Sequence, residues 1–170
     1  MAADVSIGLG GSCYWCTEAI FASLKGVVQV EQGWLSSYGE QHWPSEGIIM
    51  RFDPQQITLC DLIDIHLHTH SSTADHSRRH KYRSAVYTYN DAQQAAAQAC
   101  LVQLQSQFDK PLITRAYRLN TFERSAAHYQ DYYYTDPQRP FCQNIITPKL
   151  RQLLALYQDK VDETRLRLDT

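Results

Sequence analysis

An apolar run, Val5 to Leu9, breaks on Gly10-Gly11 and passes almost at once into helical spacing, with Ile20, Phe21 and Leu24 three to four apart on one face. A strand that turns on two glycines into a helix fixes how the chain starts and what stands at its first corner. The helix is expected over Thr17–Lys25, stopped by Gly26. The corner reads Ser12-Cys13-Tyr14-Trp15-Cys16-Thr17-Glu18. Cys13 therefore stands at a helix N-terminus, where unpaired N–H groups and the dipole favour negative charge. A thiol so placed loses its proton more readily, and the thiolate is the reactive form. The glycines permit a sharp bend and close approach, and Tyr14 and Trp15 offer an aromatic wall. A free cysteine is more often a small core residue. Glycines before it, aromatics after it and a helix start together point instead to a reactive thiol.

Strands follow at Val27–Leu35, Gly47–Phe52, within Tyr82–Tyr89, and at Leu112–Leu119. Helices are expected over Thr58–His70, from an Asp91 cap to about Phe108, briefly over His128–Tyr134, and from Pro148 through Tyr157. Ser36–Ser45 and Ser71–Arg79 are polar loops. The order β-α-β-β-α-β, with an added helix and strand, predicts an α+β, ferredoxin-like split βαβ two-layer sandwich with a mixed sheet and an added C-terminal segment. With 170 residues and no linker, the chain reads as one domain, 1–170, whose 135–170 segment carries Cys142 and the terminal helix. The charge-rich end, Asp159–Thr170, is expected to fray. A net charge of -2 gives no argument for nucleic acid or an anionic membrane. No apolar run approaches the ~20 residues of a membrane helix, and Met1-Ala2-Ala3-Asp4 does not open a signal peptide. A cytoplasmic monomer is the expectation.

There are five cysteines. An odd number without a secretion signal argues against a disulfide framework, and Cys60 and Cys100, inside helical patterns, read as core thiols. Cys13-x-x-Cys16 has the spacing of a redox pair or half a zinc site. His66, His68 and His70 alternate, which on a helix points them apart, so zinc is disfavoured and no metal is expected. Glu46 precedes an apolar strand. It is either an exposed edge carboxylate or a proton donor whose pKa is raised among Tyr14, Trp15 and Trp43. Of Tyr132-Tyr133-Tyr134, one or two rings should pack in the core and another could present its hydroxyl. Arg83 reads as structural. Cys142, in a proline-punctuated stretch, reads as a mobile thiol suited to disulfide exchange.

Taken together, these blocks resemble the A-type peptide methionine sulfoxide reductases. Gly11-Ser12-Cys13-Tyr14-Trp15-Cys16-Thr17-Glu18 is similar to that family's Gly-Cys-Phe-Trp motif, in the branch continuing Cys-Thr-Glu. Ser45-Glu46 before a strand ending Phe52-Asp53-Pro54, then His70, Tyr82-Arg83-Ser84-Ala85, Phe108–Thr114, Tyr129-Gln130-Asp131-Tyr132 and Pro140-Phe141-Cys142 through Pro148-Lys149 match further blocks in order. The resemblance implies that Cys13 is the nucleophile and Glu46 the proton donor. Tyr14 and Trp15 would hold the methyl group, and Tyr132 would help bind the sulfoxide oxygen. Cys16 and Cys142 are both candidates for resolving a Cys13 sulfenic acid. It implies no metal or organic cofactor, the S-sulfoxide of methionine, peptide-bound or free, as substrate, and a thioredoxin-like reductant.

The chain departs from the family at several points. Tyr14 and Ser12 stand where Phe and Gly are usual, His70-Ser71 replaces His-Asp, and Ala127 replaces an acidic residue. The loop from Trp34 to Glu46 is short and lacks the stretch bearing a second oxygen-binding tyrosine, leaving Tyr38 and Trp43 as the only nearby aromatics. These departures motivate an alternative, a member that binds oxidised peptide or senses redox state without efficient turnover. A small disulfide exchanger built on Cys13-x-x-Cys16 is the third reading.

Overall fold

The structure is a computed structural model that describes residues 4–166 and residue 168. Its centre is β1 (Val5–Gly10), flanked on both sides by antiparallel neighbours, β3 (Ser45–Phe52) and β4 (Ala85–Thr88). The first helix, α1 (Tyr14–Ala22), carries the chain over to β2 (Val27–Ser36), which pairs with β3 and leaves β3 between the two strands of the βαβ unit. β5 (Arg115–Arg118) joins parallel to β4, and β6 (Thr121–Arg124) antiparallel to β2. The sheet order is β5-β4-β1-β3-β2-β6, a mixed sheet. The α+β, split βαβ expectation is met.

Alternation along the strands decides the layers. Ile48, Met50 and Phe52 of β3 and Ile7 and Leu9 of β1 all bury against the helices, each contributing about 1.5–3 kcal/mol. The same core takes side chains from α1, α2 (Leu59–Thr69), α3 (Asp91–Leu104), the short α4 (Tyr132–Thr135) and α5 (Thr147–Tyr157). The opposite face holds a smaller cluster of Leu35, Ala85 and Tyr87. Arg83 lies there, buried as a structural group. Its guanidinium donates to Gln41 Oε1, the Trp43 carbonyl, the Leu35 carbonyl and the Tyr87 hydroxyl, and so ties the short 37–44 loop to the sheet.

Four expectations need correction. First, α1 begins at Tyr14, not Thr17, so Cys13 is itself the cap residue. Second, Cys60 and Cys100 are not free core thiols. They form a disulfide between α2 and α3 across a separation of 40 residues, which in the chain-entropy account stabilises by up to about 4 kcal/mol. Third, Cys142 is not on a mobile stretch. It is fully buried in a π-helical turn, Cys142–Ile146, that runs straight into α5. Fourth, the C-terminal stretch is packed as far as it is described. Val161 bridges to Leu24, and Val161 and Leu166 are buried; Arg167, Asp169 and Thr170 lie outside the described residues.

α2 is capped by Thr58 and Asp61 in a reciprocal pair, and its far end meets the Cys13 corner. There His66, 1% exposed, donates from Nε2 to the Gly10 carbonyl at 2.7 Å. Burial drives its pKa down to about 4, so the ring folds neutral. The unfolded chain takes up that proton below about pH 6.5. Stability is therefore intact above pH 6.5 and falls as pH drops toward 4, by on the order of 3 kcal/mol in all. Urea melts at pH 7 and 4.5 should show that loss, and His66→Gln should flatten the slope.

Candidate active site

The Gly10-Gly11 turn is held from three directions. His66 takes the Gly10 carbonyl, Arg79 donates to the Gly11 carbonyl at 2.8 Å, and the His70 ring lies against Gly11 itself. Gly11 has φ 151, and a Cβ there would fall 2.5 Å from His70 Cδ2. The close approach to Gly11 is made by His70 of the chain itself, where the glycines suggest room for another molecule. That ring donates from Nδ1 to the His66 carbonyl, so its Nε2 accepts from the Ser84 hydroxyl at 2.7 Å. Burial holds it well below the usual histidine range.

This clamp fixes Cys13 at the mouth of α1, half-buried, with its carbonyl accepting from the Cys16 and Thr17 N–H groups. The Cys13 thiol is lowered from its ordinary pKa, chiefly by the Cys16 thiol donating to it, against the opposing effect of burial; the Trp15 and Cys16 N–H groups add to the lowering. Cys16 shows the reverse, held protonated by Cys13 and by burial. Of the two thiols, Cys13 is therefore the one that gives up its proton first.

Glu46 is reached through strand register. Gly10 and Gly47 are paired across β1 and β3, so the Cys13 corner overhangs the start of β3. Glu46 is 4% exposed, not a solvated edge carboxylate. Its Oε1 accepts from the Tyr14 N–H at 3.3 Å and its Oε2 lies 3.4 Å from the Lys81 ammonium. Burial raises the carboxyl above its usual range, with the Tyr14 N–H, Lys81 and Tyr82 opposing. Nucleophile and acid candidates thus sit on one corner with opposed shifts.

An aromatic cup closes the site. Tyr14 packs on Trp15 and edge-on to Trp34, whose strand partner is Glu46. Tyr132 stacks flat on Trp15, centroids 4.0 Å apart, with the Arg139 guanidinium over its other face at 4.2 Å. Of its neighbours, Tyr133 is core and Tyr134 hydrogen-bonds to Ser23. Tyr38 is 60% exposed, and Trp43 is turned away, its Nε1 donating to the His80 carbonyl and its ring lying under Arg83. Of the rings expected around Glu46, Tyr14 is there, while the place expected for Trp43 is taken by Trp34.

Several groups escaped sequence reasoning. Glu18 is a buried carboxylate accepting from the Asp131 and Tyr132 N–H groups and from Gln32 Nε2. It sets the start of a short helix, Tyr132–Thr135, and with it the Tyr132 ring. Trp34 and Lys81 reach Glu46 only through the fold. Ala127 is exposed in a short 3-10 turn. Cys142 lies near enough to Cys16 to influence its ionisation. Among the described residues no group of three or more His, Cys, Asp or Glu is arranged to hold a metal ion.

A sequence profile for the family described as peptide methionine sulfoxide reductase matches residues 5–161. The chain belongs to the peptide methionine sulfoxide reductase family. It is thereby an oxidoreductase. The peptide methionine sulfoxide reductase MsrA of Deinococcus radiodurans is 31% identical over 167 residues, covering 89% of this chain and 81% of its own. Among solved structures, Mxr1 from Saccharomyces cerevisiae in reduced form has a TM-score of 0.71 at 20% identity, covering 79% of this chain and 87% of that one. The same protein in complex with Trx2 has a TM-score of 0.60 at 20% identity, covering 74% and 83%. These structures share the fold. This family member has no helix, among its described residues, long and apolar enough to cross a membrane.

Proposed function

We propose that residues 1–170 form one catalytic domain that reduces methionine S-sulfoxide, peptide-bound or free, with Cys13 as nucleophile and Glu46 as acid. The observation that carries this reading is the pair of opposed shifts on one corner, a thiol made more acidic and a carboxyl made less so. The Cys13 thiolate attacks the sulfoxide sulfur and supplies the electron pair. A sulfur–sulfur bond to Cys13 forms as the oxygen, a poor leaving group until protonated, takes its proton from Glu46; the hydroxyl then passes to the Cys13 sulfur, and the sulfur–sulfur bond breaks with its electron pair going to the methionine sulfur. The products are methionine and a Cys13 sulfenic acid. The methyl group lies in the cup of Tyr14, Trp15 and Trp34, and sulfur–aromatic contacts suit it. Tyr132 flanks the oxygen on one side. Tyr82, hydrogen-bonded to Glu46, takes the place of the family's second oxygen-binding tyrosine, since Tyr38 is exposed and Trp43 is held by the His80 carbonyl and Arg83.

Cys16 is the first resolving thiol in this reading, because it already donates to the Cys13 sulfur. It attacks the sulfenic acid, a disulfide forms and water leaves. Cys142, buried beside Cys16, can then exchange with that disulfide. A thioredoxin-like dithiol in a reducing cytoplasm restores the thiols, and the enzyme acts as a monomer. Peptide mapping after one turnover without reductant tests this. A new disulfide between Cys13 and Cys16, or between Cys16 and Cys142, is expected, with Cys60–Cys100 unchanged. A new disulfide that excludes Cys16 would remove it from the pathway.

A further inference from the structure

A cleft also opens beside Cys13, lined by none of the rings of the aromatic cup. It encloses about 570 Å³ between the Cys13 corner, the 71–82 loop and α5, more room than one methionine side chain needs. We infer that this cleft is a carboxylate subsite, which favours a carboxylate placed next to the reacting sulfoxide, from a flanking Asp or Glu or from the substrate's own chain end. The inference rests on the sulfoxide reductase reading and adds a preference to it.

Three observations carry it. The lining includes Arg78 on one wall and Lys149 on the other, and it contains no aspartate or glutamate. Among the described residues, neither Arg78 nor Lys149 is in a salt bridge. Two cations facing one cavity, neither of them in a salt bridge, stand out on a chain whose net charge is -2. The loop that presents Arg78 is also built, not loose. Arg79 spends its guanidinium on the carbonyls of Ser71, Ala74, Tyr82 and Gly11, which pins the loop to the Cys13 corner. With Arg79 so committed, Arg78 is left at the rim.

Lys149, half-buried on α5, acts on the Cys16 thiol, which it draws toward ionisation. Cys13 and Cys16 are themselves part of the cleft wall. A peptide residue spans roughly 3.3–3.6 Å. With its sulfoxide at Cys13, a peptide therefore brings the residue on one side within reach of this wall.

The test uses blocked peptides in which methionine S-sulfoxide is flanked on either side by Asp, Asn or Lys. N-acetyl-methionine sulfoxide and its methylamide are run beside them. kcat/KM is measured at low and high salt for the full chain, Arg78→Glu and Lys149→Gln. In the unmodified chain an Asp peptide should exceed its Asn counterpart about 3- to 10-fold at low salt, the range for two partly exposed charge pairs, and the gap should close with salt. Arg78→Glu, at an exposed position, should turn the Asp preference toward Lys, and Lys149→Gln should shrink it. Ratios are compared within each protein, so a general loss of activity cancels. A preference for the Asp peptides names the flanking side chain as the source; a preference for the free acid over the methylamide names the chain end. Either supports the subsite. Ratios near one in every pair at low salt would overturn it, as would a preference untouched by both substitutions. No turnover of the Asn peptide by the unmodified chain would instead overturn the reductase reading itself.

Discussion

Cys13→Ser is expected to abolish sulfoxide reduction, lowering turnover of a methionine S-sulfoxide peptide with dithiothreitol by at least about a thousandfold, or ~4 kcal/mol of transition-state stabilisation. A serine hydroxyl in that place keeps the shape of the corner. It does not ionise near neutral pH, and its oxygen cannot stably take over the sulfoxide's oxygen as a sulfenic acid does. The helix end and the N–H groups of Trp15 and Cys16 would then have no thiolate to stabilise. Titration of thiols makes the result specific. Without reductant, the wild-type chain should lose two thiols per methionine formed, and Cys13→Ser none. A binding protein without turnover would lose none in either form, and equal turnover rates would remove Cys13 from the chemistry.

Glu46→Gln is expected to lower kcat/KM by about a hundred- to a thousandfold, the usual worth of a positioned proton donor. The amide keeps a polar group opposite the Tyr14 N–H but brings no transferable proton. The pH profile separates this role from a structural one. Burial raises the Glu46 carboxyl, so the wild-type rate should climb as pH falls and the carboxyl gains its proton. At the acid end it should drop as Cys13, lowered by Cys16, regains its own. These limbs belong to the coupled site and not to one group. In Glu46→Gln the limb due to the carboxyl should vanish. Lys81→Met should move that limb to higher pH, because the ammonium 3.4 Å from Oε2 opposes protonation. A Glu46→Gln profile as steep as the wild type would take the proton donor's role away from Glu46.

Local signals carried the corner from sequence to structure. A strand, two glycines and a helical period are read over a few neighbouring residues, and they suffice to put Cys13 at the helix mouth. Glu46 was legible as a carboxylate opening an apolar strand, though its burial was not. That depends on the Gly10–Gly47 pairing, and register is a property of two strands. For the same reason Trp34 carried no signal, since it enters the cup only as the partner of Glu46. The Cys60–Cys100 disulfide joins two helices far apart in sequence, and an odd cysteine count hid it. The prolines around Cys142 suggest mobility, whereas the π-helical turn that runs into α5 buries it. β6, Thr121–Arg124, is short and polar and has no periodicity to find. His66 shared an apolar helix face with Leu62 and Ile63, a legible pattern, but its bond to Gly10 belongs to the assembled fold.

The central claim is that Cys13 takes the oxidation directly from the substrate sulfur. A chain carrying both Cys16→Ser and Cys142→Ser, mixed with excess methionine S-sulfoxide peptide and no reductant, tests it most directly. The account predicts one equivalent of methionine per chain and one added oxygen on the peptide containing Cys13, trapped as a sulfenic acid because no partner thiol remains beside it. Methionine formed with Cys13 unmodified and the oxygen on another residue, or no methionine at all from a folded chain, would contradict it.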